Sequence, residues 1–291
     1  MGILGAKVSG ESRRTVVGEM DAHELFRLSP HGADTYVGVG PQYPWGGLYG
    51  GQIVAQALRA AAATVDPSMT PHSLRAYFIR RGDHDEPVRY EVDRIRNGRS
   101  FSTRRVVARQ AIGAILNLEA SFQLSEPSVD IETVAMPLDL PSPDDLIHDS
   151  WSDVFDRCWV PSQYLPADGR TGAGRSAAWL KANGVLGDDP LLHLCTLAFL
   201  SDDLPTDAVV RAHPIGAEPE EQRQGALFSA SLDHTMWFHR PVKADEWHLH
   251  DFTCHSFVGG RGLSIGHVFA ADGTHVATIA QEVLMRDKRS Q

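Results

Sequence analysis

Between residues 73 and 123 apolar and polar positions alternate with a period of two in four runs: Ser73–Arg80, Val88–Arg96, Phe101–Gln110 and Ala114–Gln123. Alternation of this kind places one apolar face against a core and one polar face outward, so each run predicts a strand. Turn formers separate the runs at Gly82-Asp83, Asn97-Gly98 and Gly113. Upstream, Gly51–Val65 (GQIVAQALRAAAATV) has helical spacing, Thr35–Val39 predicts a short strand and Asp21–Leu28 a short helix. One helix followed by four strands is an α+β layout, in which an antiparallel sheet covers the helix.

The pattern then recurs. Arg175–Lys181 predicts a strand, and DDPLLHLCTLAFLSDD (Asp188–Asp203) predicts a helix apolar on nearly every side, which must be enclosed. An Asp cap followed by Pro190 starts this helix. A loop through Gly225 is expected after it, followed by strands at Leu227–His239, Trp247–His255, Leu263–Phe269 and His275–Met285. Tyr77-Phe78-Ile79-Arg80 matches Trp237-Phe238-His239-Arg240, and Asn97–Ser102 matches Gly259–Ser264. The offset of roughly 160 residues is far longer than a solenoid unit and implies two copies of one helix-plus-sheet domain, each helix held by its own sheet. The expected units are 21–124 and 175–288. Between them, 125–174 is rich in Pro and acidic residues and reads as a linker or cover, with Trp151–Leu165 fitting neither period and Asp168–Gly174 a loop. Residues 1–20 read as a mobile arm.

A net charge of −10 with no long basic run argues against nucleic acid as partner. Three widely spaced cysteines, Cys158, Cys195 and Cys254, fit a reducing compartment and no metal site. No apolar run approaches the ~18 residues that would insert in a membrane. With no leader core at the start and no peroxisomal tripeptide at the end, the expected location is the cytoplasm.

Several groups are candidates for chemistry. Asp202 and Asp203 place carboxylates at the negative end of a buried helix, either as its solvated exit or for function. Glycines at 38, 40, 46, 47, 50 and 51 surround the entry to the first helix without a nucleotide fingerprint, so close backbone approach or tight packing is expected there. Gly262-Leu263-Ser264-Ile265-Gly266 matches G-x-S-x-G, but Ser264 falls inside an alternating strand where a nucleophile elbow needs a strand-to-helix turn. His248 and His250 share a strand face without a third ligand and are expected at the surface; His72 and His234 are expected as structural partners. Arg75, Arg80, Arg81, Arg99, Arg104 and Arg105 are expected mostly on solvated faces, with one or two able to meet phosphate groups.

GGLYGGQIVAQAL, HSLRAYFIRRGD, NGRSFSTRRVVA, LLHLCTLAFLSDD, LDHTMWFHRP and ATIAQEVLMR resemble, in order, the type II acyl-CoA thioesterases, double-hotdog proteins of two tandem helix-wrapped antiparallel sheets. The resemblance implies hydrolysis of fatty acyl-CoA by a water held between Asp202, Ser231 and Gln281, with no metal or other cofactor, in a homo-oligomer. Thioester hydrolysis also needs oxyanion donors, for which the helix start at Gly50, Gly51 and Gln52 is the substrate-binding candidate. First-copy positions near Ala61, Pro71 and Ala120 cannot orient a water, so one site per chain is expected. The rival readings are a non-catalytic acyl-CoA-binding hotdog protein and a hotdog enoyl-CoA hydratase.

Overall fold

The computed structural model of the chain describes residues 20–165, 174–223 and 225–290. The expected arm, apart from Met20, and residues 168–173 of the expected loop lie outside the described residues. The first half runs α1 (Ala22–Leu25), β1 (Ser29–Pro30), β2 (Thr35–Gly38), α2 (Gly50–Ala62), β3 (Met69–Phe78), β4 (Val88–Asn97), β5 (Phe101–Gln110) and β6 (Gly113–Leu124). After β7 (Phe155–Trp159) come β8 (Arg175–Ala182), α3 (Pro190–Leu200), α4 (Pro205–Ala212) and α5 (Glu220–Arg223). The chain ends with β9 (Leu227–Ser231), β10 (Asp233–Phe238), β11 (His248–Val258), β12 (Arg261–Ala270) and β13 (His275–Asp287).

The spatial order is β2-β4-β5-β6-β3 in the first half and β8-β11-β12-β13-β10 in the second. Element for element these are the same order, so the sequence repeat is a repeat of topology. The two sheets meet edge to edge through β3 and β10, antiparallel with Met236 opposite Leu74, and form one thirteen-stranded sheet. Joining the edges hides two rows of backbone donors and acceptors that would otherwise stand open.

Three local expectations are corrected. The run Leu227–His239 is two strands, broken at Leu232, whose N–H bonds Glu282 C=O (2.9 Å) while its C=O accepts from Phe78 N–H (3.0 Å). The expected loop before Gly225 contains α4 and α5. α3 is not held chiefly by its own sheet; it lies along α2, and α4 covers β8, β11, β12 and β13. α2 permits this approach because it is built of small residues: a Cβ at Gly51 would stand 2.4 Å from the Phe199 carbonyl oxygen of α3. The helices run antiparallel, with Arg59 near the end of α2 paired to Asp189 at the start of α3 (2.9 Å).

Part of the segment between the halves lies against the second half-sheet. Val134, Met136, Leu140 and Leu146 pack on Cys158, Trp179, Leu249 and Phe269, the outer face of the second half-sheet. Glu132 anchors it through Arg240 (2.9 Å). His248 and His250, expected at the surface, are 2% and 0% exposed on the opposite, inner face of β11. Burial pushes their imidazoles down to about 4 and about 3, so both are neutral.

Candidate active site

α3 is capped by Asp189, whose side chain accepts from Leu191 N–H (3.0 Å), and Pro190 occupies its first turn. The helix ends at Leu200, and Ser201, Asp202 and Asp203 form a turn before Pro205 opens α4. This turn lays Asp202 against the start of α2: the Cβ that Gly50 lacks would lie 2.6 Å from Asp202 Oδ2. Asp202 is 9% exposed and its Oδ1 has no hydrogen-bond partner among the described residues. Burial pushes its carboxyl up to about 7; hydrogen bonding from Gln281, the Gly51 amide and Ser231 works against that rise, and the charge of Asp203 adds to it.

The structure brings the three resemblance-derived residues together. Gln281 Nε2 donates to Ser231 Oγ (2.7 Å), and both groups lie near enough to Asp202 to hold its carboxyl down against the effect of burial. The other end of the amide, Oε1, lies 2.5 Å from His234 Nδ1. His234 is fully buried and its pKa is depressed to about 4, so the ring is neutral at physiological pH. On its other side Nε2 lies 2.9 Å from Ser201 Oγ, a hydroxyl that also reaches the Ala198 carbonyl (2.9 Å). His234, expected as a structural partner, is thus bonded to the candidate amide itself. An acid poised near neutrality, a hydroxyl and a primary amide in mutual contact can hold a water and accept its proton.

Asp203 is placed differently. Arg157 Nη1 donates to both its oxygens (2.8 and 3.0 Å), Trp151 Nε1 donates to Oδ1 (2.6 Å), and the side chain is only 4% exposed. All of this occupies its lone pairs in a structural ion pair, which leaves Asp202 as the free carboxylate of the turn.

At the start of α2, the Gly51 amide addresses Asp202 and the Gln52 side chain is turned inward, taking Tyr43 O–H at 2.7 Å. Tyr43, Trp45, Tyr49, Trp151 and Phe199 form a continuous aromatic cluster over this end of the helices. Three of these residues, Tyr43, Trp45 and Tyr49, lie among the glycines of the loop before α2, and that clustering is a signal from which the wall could have been found. Among the described residues, Asp83, His84 and Asp85 alone bring three donor atoms within 4.8 Å, on the turn after β3, and Asp85 there already accepts from Gln42.

The first copy lacks this site for a physical reason. Ala120 on β6 stands between Leu74 and Arg104, as Gln281 on β13 stands beside Ser264. Arg104, expected on a solvated face, is 2% exposed and crosses to the end of α2, bonding Thr64 Oγ1 (2.7 Å), Thr64 C=O (2.8 Å) and Asn97 Oδ1 (2.7 Å). Its guanidinium thus occupies the position beside Ala120 that corresponds, in the second copy, to the side of Gln281. The remaining cluster arginines, 75, 80, 81, 99 and 105, are exposed as expected.

Two family models match the halves: acyl-CoA thioesterase N-terminal domain over residues 40–123 and acyl-CoA thioesterase C-terminal domain over 131–285. The chain belongs to the type II acyl-CoA thioesterase family. It is 34% identical to mouse (Mus musculus) acyl-coenzyme A thioesterase 8, covering 97% of this chain and 92% of that protein. It is 33% identical to acyl-CoA thioesterase 2 of Haemophilus influenzae over 82% of this chain and 87% of that one. The crystal structure of acyl-CoA thioesterase II TesB2 from Mycobacterium marinum superposes with a TM-score of 0.81 at 36% identity, covering 93% of this chain and all of that one (100%). The double-hotdog architecture expected from sequence is therefore the fold of this family, with its two sheets fused along one edge.

Proposed function

We propose that this protein hydrolyses fatty acyl-CoA to free acid and CoA, using a water held by Asp202, Ser231 and Gln281. Asp202 takes a proton from the water as its oxygen adds to the thioester carbon. The tetrahedral intermediate collapses with loss of CoA sulfur, and the proton on Asp202 passes to the departing thiolate. Ser231 and Gln281 orient the water without titrating, which is where a large part of the rate gain arises. The observation that carries the reading is the 2.7 Å contact between Gln281 and Ser231 beside a buried carboxylate with one unpartnered oxygen. Family membership supplies the substrate class. The aromatic wall at the start of α2 offers the cover that excludes bulk water from such a step.

The same proposal takes 21–124 and 175–288 as the two hotdog units, with 125–174 as cover, and places the protein in the cytoplasm as a homo-oligomer. Free thiols at Cys158, Cys195 and Cys254 support a reducing compartment. Exposed Tyr77 (65%) and Ile79 (45%) beside the β3–β10 joint support a second copy as partner. Among the described residues no helix is long and apolar enough to cross a membrane.

Release of free thiol from a panel of acyl-CoAs tests the activity. Turnover abolished by Asp202→Asn is the expected result. Tight acyl-CoA binding with no thiol release would make the protein a binder, and formation of 3-hydroxyacyl-CoA from enoyl-CoA would make it a hydratase.

A further inference from the structure

The G-x-S-x-G run has no place in an elbow, since Arg261–Ala270 is one continuous strand. Its residues nonetheless form something specific. Positions 262, 264 and 266 share the inner face of β12. A Cβ at Gly262 would stand 2.3 Å from Val209 Cγ1, and one at Gly266 would stand 2.3 Å from the Phe252 ring. The two glycines thus let Val209 of α4 and Phe252 of β11 come down on either side of Ser264. Ser264 is 0% exposed, and its Oγ has no hydrogen-bond partner among the described residues. Leaving a buried hydroxyl unpaired is unfavourable, so such a group points to something that completes it.

Ser264 stands beside the candidate water site. Ser264 is the register partner of Gln281 across β12 and β13, on the flank opposite to that engaged through His234. By strand register, rather than by the sequence match of the preceding turns, its first-copy counterpart is Arg104, opposite Ala120, which spends its donors on Thr64 and Asn97. Here the side chain is short and its donor unspent.

Hydrolysis by water creates an oxyanion, and two of the side-chain donors already described are engaged elsewhere, the Gln281 amide with Ser231 and His234 Nδ1–H with Gln281. The other unpartnered buried serine, Ser176, lies on β8, three strands from β13. We propose that Ser264 donates its hydrogen bond to the thioester carbonyl oxygen as it becomes the oxyanion, and is therefore a fourth catalytic side chain. This rests on the water mechanism at Asp202, Ser231 and Gln281.

The test is steady-state acyl-CoA hydrolysis and thermal melting of Ser264→Ala and Ser264→Cys, with Asp202→Asn in parallel. Losing one oxyanion donor lowers kcat by about 100-fold or more, so Ser264→Ala should show that loss with KM within about threefold of wild type. Its Tm should be unchanged or higher, because the hydroxyl removed had no protein partner. Ser264→Cys, with a weaker donor of similar shape, should fall between the two. Unchanged kcat in Ser264→Ala, a loss carried by KM alone, or activity that merely follows a lowered Tm in both variants would overturn the assignment. An inactive Asp202→Asn beside a fully active Ser264→Ala removes Ser264 only; an active Asp202→Asn removes the water mechanism beneath it.

Discussion

His234 Nδ1 stands 2.5 Å from Gln281 Oε1, and this contact decides which end of the amide faces the water. The two ends of a glutamine amide are nearly the same shape, so rotation by half a turn would exchange donor and acceptor. A neutral ring with its proton on Nδ1 accepts only one answer: oxygen towards His234, NH2 towards Ser231 and Asp202. Replacing His234 with Leu should lower kcat by about 10²-fold, the cost of a misplaced orienting group. KM should stay near wild type. His234→Asn, which keeps an N–H close to the Nδ1 position, should recover most of the rate. Equal losses in both variants would show that the ring serves only to fill space.

The protonation of Asp202 sets the pH dependence. Its carboxyl titrates at about 7, so the ionised base is lost tenfold per pH unit below that, and kcat/KM should rise through an acid limb near pH 7 and then level. Stability moves the other way. A carboxyl raised from 3.8 to about 7 contributes stability that is complete below pH 3.8 and lost as pH rises through 7. The full effect is roughly 4 kcal/mol. Urea unfolding of wild type and Asp202→Asn should therefore show the variant gaining relative stability between pH 5 and pH 8. His234 has the opposite sign: its pKa falls from 6.5 to about 4, so its contribution is present above pH 6.5 and lost as pH drops through 4.

Asp203 and Arg157 should behave as a structural pair. Arg157→Met leaves the Asp203 carboxylate buried without its cation and should destabilise by about 3–5 kcal/mol in denaturant unfolding. Asp203→Asn should keep turnover, and because the Asp203 charge helps raise the Asp202 carboxyl, its acid limb should move to lower pH. An inactive Asp203→Asn with an active Asp202→Asn would transfer the base from one residue to the other.

Period-two alternation located β4, β5 and β6 to within a residue or so, because each of these strands packs one face inward and leaves the other largely open. α4 escaped detection for the opposite reason: eight residues between Pro205 and Pro214 give too few turns for a period to emerge. His248 and His250 were misplaced because Leu249, between them, is also buried, under the cover of residues 134–146. Local sequence does not show that a distant segment will shield a strand's outer face. At the site, Asp202 was visible as a carboxylate on the wrong end of an enclosed helix. Ser231 and Gln281 carried no such mark, since a strand Ser or Gln has no periodic signature, and only family resemblance pointed to them. The occupation of the first copy by Arg104 depends on a register between strands that no spacing along the chain reveals.

Gly50 and Gly51 lie side by side at the start of α2, yet their replacement by Ala should fail in different ways. Inside a helix Ala is favoured over Gly by about 1 kcal/mol, so without tertiary contacts both changes would stabilise. At Gly51 the new Cβ meets the Phe199 carbonyl oxygen at 2.4 Å, backbone that already accepts from Tyr49 O–H and cannot withdraw. Gly51→Ala should therefore push α2 and α3 apart and cost about 1–3 kcal/mol, read as a lower Tm. At Gly50 the new Cβ meets Asp202 Oδ2 at 2.6 Å and the Phe78 ring at 2.9 Å, side-chain atoms that can turn away. Gly50→Ala should then lose little Tm and at least tenfold in kcat, because the carboxylate that moves is the base, and misplacement by an ångström can cost more than that. Melting curves and thiol release measured on the same two preparations decide the matter. If Gly50→Ala keeps its kcat, the bare backbone at this position serves packing alone, and close approach to Asp202 has no part in the reaction.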